Sequence, residues 1–336
     1  MKPIKSLSFL IIITLSCCSK SNENLTFTEV DYATSSPVIY SPFMGLPMFM
    51  DEVGNKLVIS DFFGDSLLII ANVENGHHTR IAPKGNGPEE FQSPLFTSKT
   101  DSSILVFNKG RFELGYFLIK DLLTDNSICH KLLDVPSNLS NIYPISKNRF
   151  LASGYFGVSR YAIVNDNGEI NKYFGDFPSN SKSENSFPSD VKAMFHQTFF
   201  QKHPDKNIIA SVSSHIMELI EPNHPSIIKR IQIADYGYSY TSGERLSAKL
   251  LENYPKGVVS SCSDDKYIYI LFNPSTEKNK NERNKIYVVD WDLNPIKKII
   301  PDINFSLISI RDNGDIVGIV NNPEPIIYKL NQKTIP

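Results

Sequence analysis

The sequence predicts an all-β fold, a six-bladed β-propeller of four-stranded blades, on three observations. From Asn24 onward no long stretch carries a helical period; short β-branched and aromatic runs alternate with Gly, Asn, Asp and Pro clusters. One unit, a polar turn entering an apolar strand and then a second hairpin, comes round six times. The central strands of these units recur roughly every 46–60 residues, the spacing of propeller blades that carry insertions.

The first residues stand outside this pattern. Lys2 and Lys5 precede the apolar run Leu7–Leu15, which has signal-peptide length and is short for a bilayer span. It ends in Leu15-Ser16-Cys17-Cys18, followed by the polar run Ser19–Asn24. Leucine, two small residues and cysteine resemble the bacterial lipobox: small side chains at the cut, and a thiol to carry the lipid. Residues 1–17 are therefore expected to be a cleaved signal, Cys18 the lipid attachment, 18–24 a flexible lipidated linker and 25–336 the propeller. Ser19, where an aspartate would suggest inner-membrane retention, points to the outer membrane, with the propeller facing the periplasm or the cell surface.

In chain order, the turns that feed the central strands begin at Asp51, Asp101, Lys147, Pro204, Asp264 and Asp312. Asx and Gly suit them because they tolerate left-handed backbone or cap the turn locally. The hairpins that follow begin at Leu68, Phe117, Tyr161, Met217, Tyr287 and Ile326; the best preserved is Ile286–Ile300, IYVVDWDLNPIKKII. Its Asp290-Trp-Asp292 reads as a turn rather than a catalytic pair. The blades are expected at 45–83, 94–136, 140–178, 190–234, 257–302 and 304–331. The last runs out of chain, and Leu25–Asp31 is expected to supply its missing outer strand, closing the ring and leaving no open edge. Three insertions interrupt the rhythm: Phe177–Asp190 reads as an exposed loop, Gly237–Pro255 as a short helix, and Asn273–Asn284 as a polar, mostly charged tip expected to be mobile.

Lys84-Gly-Asn-Gly-Pro-Glu-Glu-Phe-Gln-Ser-Pro94 joins the first two blades. That connection, the lipobox and the late Val-Val-Asp-Trp run together make the chain resemble the TolB-like six-bladed β-propeller lipoproteins, exported bacterial proteins of a single domain. The resemblance implies fold and location and carries no active site.

A formal charge of −2, with 41% apolar and 21% charged residues, excludes wholesale disorder and gives no basic excess for nucleic acid. The Gly85–Phe91 loop is not a phosphate cradle, since Pro88 lacks a donor and Glu89 and Glu90 repel phosphate; Phe91 is expected to plug the core. His77 and His78 alternate across a strand and cannot easily share a metal. There is no HExxH, no clustered Cys/His set and no Gly-x-Ser-x-Gly elbow, so no metal, cofactor or catalytic residue is predicted. The innermost strands, read as Leu46–Met50, Leu95–Ser98, Ile142–Ile145, Phe195–Phe199, Val258–Ser261 and Leu307–Ile310, are apolar or hydroxylic. His196 and Gln197 are the channel candidates. Glu89, Glu90 and Phe91 are candidates at the channel mouth, and Tyr236, Tyr238 and Tyr240 at a contact face. The expected function is a non-enzymatic binding or scaffolding lipoprotein for an envelope protein or glycan. The alternative is a propeller-type hydrolase or lyase acting on a carbohydrate or lactone at the channel mouth.

Overall fold

The computed structural model describes residues 24–92, 95–122, 127–146, 148–321 and 323–331. The expected signal, Cys18 and most of the linker lie outside them.

Six four-stranded antiparallel blades follow one another along the chain. The first runs through Pro47–Val53, Lys56–Asp61, Ser66–Ala71 and His78–Pro83. The second to fifth open with the inner strands Leu95–Lys99, Leu139–Ser146, Thr198–Lys202 and Gly257–Ser263, and end on the outer strands His130–Asp134, Ile170–Asp176, Ser226–Gln232 and Pro295–Pro301. The sixth contains Leu307–Ile310, Ile316–Asn321 and Pro325–Asn331. Up-and-down connectivity gives the ring two faces. The chain passes between blades on the connector face, and the turns after each inner strand form the hairpin face.

The ring closes as anticipated, but with a different strand. Val30–Pro37 is the closing strand: Thr34–Pro37 pair antiparallel with Tyr328–Asn331, and Val30–Ala33 pair parallel with Lys298–Pro301 of blade five. One strand thus welds blades five and six into a single eight-stranded sheet. Leu25 and Phe27 were expected within that strand. They pack instead on the cluster between blades four and five, where Phe27 lies 4.7 Å from Tyr287. Their alternation is real, but it serves inter-blade packing.

Six apolar clusters fill the six gaps between neighbouring blades. Met50, Ile59 and Ile69 meet Val317, Ile319 and Ile327 between blades one and six, for example. Because each sheet is covered on both sides, its central strands are buried throughout, as in Lys56–Asp61 and Ile209–Ser213. This explains why they read as continuous apolar runs rather than alternating ones. Gly318 interrupts one such run because Phe305 lies on it: a Cβ there would stand 2.3 Å from the ring.

The first two insertions differ from their expected form. Phe177–Asp190 is not a bare loop; it carries the helix Lys182–Asn185, capped by Ser181, and leads into the helix Ser189–Phe195. That second helix takes up Phe195, so the inner strand of blade four begins at Thr198. Gly237–Pro255 is a β-hairpin, Tyr238–Ser242 against Leu246–Leu250, and not a helix. Leu246, Ala248 and Leu250 are half-buried while Ser247 and Lys249 are exposed, a period of two. The two insertions pack together over blades three and four. Cys129 and Cys262, on blades two and five, are both free thiols.

Candidate functional site

The channel is built from the inner strands, whose alternate residues point to the ring axis. Phe49 of blade one and Phe199 of blade four meet edge to face across it, 6.2 Å between centroids. Next to this bar, towards the hairpin face, stand Asp51, Lys99, Tyr143, Gln201 and Ser263. Burial raises the Asp51 carboxyl above its ordinary range, against the opposing pull of Lys99. Burial likewise pushes up the Tyr143 hydroxyl and the Cys262 thiol, each with a further contribution from Asp51.

Sequence reasoning missed this tier. It assigned Asp51 to a turn, whereas the inner strand runs on to Val53. It also read the second inner strand only as far as Ser98 and the fourth only to Phe199, one residue short of Lys99 and two short of Gln201. Carrying the period-two pattern one step further would have found them.

Hydrogen bonds stitch neighbouring inner strands together at this level. The Lys99 ammonium donates to the Glu52 carbonyl at 2.8 Å and the Lys202 ammonium to the Ile145 carbonyl at 3.3 Å. Gln201 Nε2 donates to the Ser261 carbonyl at 2.9 Å, and Ile308 N–H to Ser260 Oγ at 3.4 Å. Arg311 Nε donates to Glu52 Oε1 at 2.9 Å, and the Asp312 N–H to Glu52 Oε2. Blades two and three are the exception: among the described residues no hydrogen bond joins their inner strands. A cleft of about 930 Å³ opens there on the hairpin face. Leu105, Leu118, Leu132, Leu133 and Phe150 form its apolar wall, and Lys99, Tyr143 and Lys202 its inner end. Lys99 and Tyr143 also line the channel, so the two spaces meet at them.

The predicted residues lie on the connector side. Phe91, read both as a core plug and as a channel-mouth candidate, is buried in the core between blades one and two, 6.2 Å from Phe117. Glu90 turns back into its own loop, accepting the Gly87 N–H at 2.6 Å. The Glu90 carboxylate lies in the space that Gly85 leaves open, 2.0 Å from where a Cβ would stand. The loop carries its own anion. Glu89 is exposed beside it.

His196 and Gln197 do not line the channel, because the helix Ser189–Phe195 displaces them from the inner strand. His196 caps that helix and is buried, and Gln197 is exposed. Tyr236 and Tyr238 are buried as well: Phe195 stacks on Tyr238 at 3.9 Å, and His196 meets Tyr236 edge-on at 5.7 Å. Only Tyr240 of the three tyrosines is exposed, with its ring 5.1 Å from Phe187. Burial lowers His196 well below its ordinary value, with Arg160 adding to the effect, and takes His215 down to about 4. Under this cap Glu218 bridges two cations, 2.8 Å from Arg160 and 2.6 Å from Arg230.

Among the described residues no three His, Cys, Asp or Glu side chains gather so as to hold a metal ion. The ring, the channel and the closing seam define the class, and the family follows: residues 26–313 match the TolB-like 6-blade propeller-like model, and the chain belongs to that family. Comparison with curated protein sequences returned no match. Among solved structures, the chain is similar to a Bacteroides fragilis protein assigned as exported, with a TM-score of 0.59 at 12% identity, covering 91% of this chain and 100% of that one. A member of the DUF4221 family from Bacteroides vulgatus gives 0.55 at 11% identity, covering 94% and 100%. The calcium-binding protein regucalcin from Agrobacterium tumefaciens gives 0.51 at 12% identity, covering 92% and 98%. At these identities the likeness is one of fold.

Proposed function

We propose that the protein is an exported lipoprotein, tethered to the outer membrane through Cys18, whose propeller binds an envelope protein or glycan without transforming it. The observation that carries the binding role is the amphipathic cleft at the inter-blade position where, among the described residues, no hydrogen bond joins the inner strands. It offers a roomy space with an apolar wall and polar groups at one end, the usual make-up of a ligand site. The tether rests on the lipobox-like run alone.

The experiment compares capture from envelope extract by the full-length protein and by Ser146→Trp, which fills the cleft from its exposed rim. Loss of a co-purifying protein or glycan in the variant supports the reading, and equal capture by both proteins overturns it. For the tether, Cys18→Ala should move the protein out of the membrane fraction, and retention there counts against it.

One observation favours a second reading, a hydrolase or lyase acting on a carbohydrate or lactone at the channel mouth. The raised Asp51 carboxyl beside Lys99 and Tyr143 has the character of a general acid. Turnover of a lactone or glycoside that Asp51→Asn abolishes would establish it.

A further inference from the structure

We infer that the cleft between blades two and three takes a single-chain amphiphile with one anionic head, the head lying between Lys99 and Lys202 and the chain along the wall of Leu118, Leu132 and Leu133. This inference rests on the cleft proposed above as a binding site and assigns it an amphiphile, a ligand class besides the protein or glycan named there.

The polar end is specific in chemistry. Lys99 and Lys202 each give one proton to a backbone carbonyl of a neighbouring blade, Glu52 and Ile145 respectively. Among the described residues neither ammonium has a carboxylate within 4.0 Å. An ammonium has three donors, so each can donate further. Because a neutral carbonyl holds each in place, little side-chain entropy remains to be lost when an anion arrives. Tyr143 stands with them on the wall shared by cleft and channel.

The rim of the cleft favours one negative charge over several. Asp101, Asp166 and Asp312 are exposed residues of the surrounding turns and line the rim. Water screens them there, yet three carboxylates around the entrance oppose a polyanion while tolerating one charge that passes inward. Leu105, Leu118, Leu132 and Leu133 offer a chain an apolar track, with Thr100, Ser102, Ser103, Ser146 and Asn148 around it. Leu132 is 41% exposed, an apolar side chain standing open at the cleft. The volume of about 930 Å³ accommodates a chain of roughly ten carbons with space to spare. The aromatic bar of Phe49 and Phe199 stops the ligand from passing through the ring.

The test is calorimetric titration of the full-length protein with decanoate, butyrate and decyltrimethylammonium, each below its aggregation threshold. Decanoate should bind at one site, butyrate at least tenfold more weakly, and the cationic chain more weakly still. The double variant Lys99→Gln/Lys202→Gln should weaken decanoate at least tenfold. Leu132→Asn, a change at an exposed position, should weaken decanoate and leave butyrate unaltered. Equal binding of decanoate by the double variant, or equal binding of the cationic chain, overturns the anionic head. Equal binding of butyrate and decanoate overturns the apolar wall. If decanoate fails to bind while Ser146→Trp still abolishes capture, the ligand class falls and the binding role stands; if both fail, the binding role falls with it.

Discussion

Lys297 reaches Asp31 across the closing seam, Nζ to Oδ2 at 2.5 Å, and it does so from a position only 2% exposed. The two residues are far apart in sequence and belong to the fourth strand of blade five and the strand that completes blade six. Asp31→Asn removes the charge partner of a buried ammonium while keeping the side chain's shape. The expected cost is about 2 kcal/mol, the worth of a hydrogen bond between charged groups, read as a melting temperature lower by a few degrees. Deleting Val30–Pro37 should have a far larger effect, because it opens the ring. A deletion that melts with the parent protein would refute the closure.

Glu218 is fully buried between Arg160 and Arg230, and it accepts the Tyr161 hydroxyl as well. Glu218→Gln leaves Arg160, 1% exposed, without its counter-charge. Removing one partner of a buried pair costs about 3–5 kcal/mol. Equilibrium denaturation should show a lower midpoint with little change in slope. A loss below about 1 kcal/mol would mean that the pair is worth no more than one at the surface.

The cap over blades three and four should weaken in acid. His215 is held near 4 by burial, against an ordinary value of 6.5, so the folded form keeps it neutral. The folded value is the lower one. As pH falls below 6.5 the unfolded chain takes up a proton that the folded one refuses, and stability is lost until about pH 4, by on the order of 3 kcal/mol for this group. His196 is shifted in the same direction. His215→Asn should therefore lose less stability than the parent between pH 7 and pH 4.5, measured by thermal melts at both values. An identical loss in the two proteins would rule His215 out as the cause.

Much of the ring was legible because blades repeat. Six turns and six hairpins gave the number of blades, and Phe91 was correctly placed as a core plug from its position after two glycines and a proline. Asp290 also behaves as read, accepting the N–H groups of Asp292 and Asn294 to shape its turn. What escaped depends on contacts that no local pattern encodes. Leu246, Leu250 and Tyr254 keep a helical spacing while Leu246, Ala248 and Leu250 keep a strand's, and pairing with Tyr238–Ser242 together with packing on the helix Ser189–Phe195 decides between the two. His196 looked like a channel residue because it is among the most polar residues of Phe195–Phe199, read as one inner strand, yet a helix ends inside that run. Lys99, Lys202 and Asp51 sit where strand becomes turn, the place where sequence reading is weakest. Their convergence is a property of the ring, created by blades that are distant in the chain.

The welded seam also has a mechanical meaning. Were the chain held at Cys18 as proposed, tension would pass first to Asn24 and Leu25, which bond to Gln232 of blade four, and then to Val30, the start of the strand that locks blade five to blade six. That strand lies parallel to Lys298–Pro301, so the load falls along a row of hydrogen bonds acting together rather than peeling them one by one. The part of the ring that closes it is also the part that would carry the strain of an anchored protein pulled by its partner.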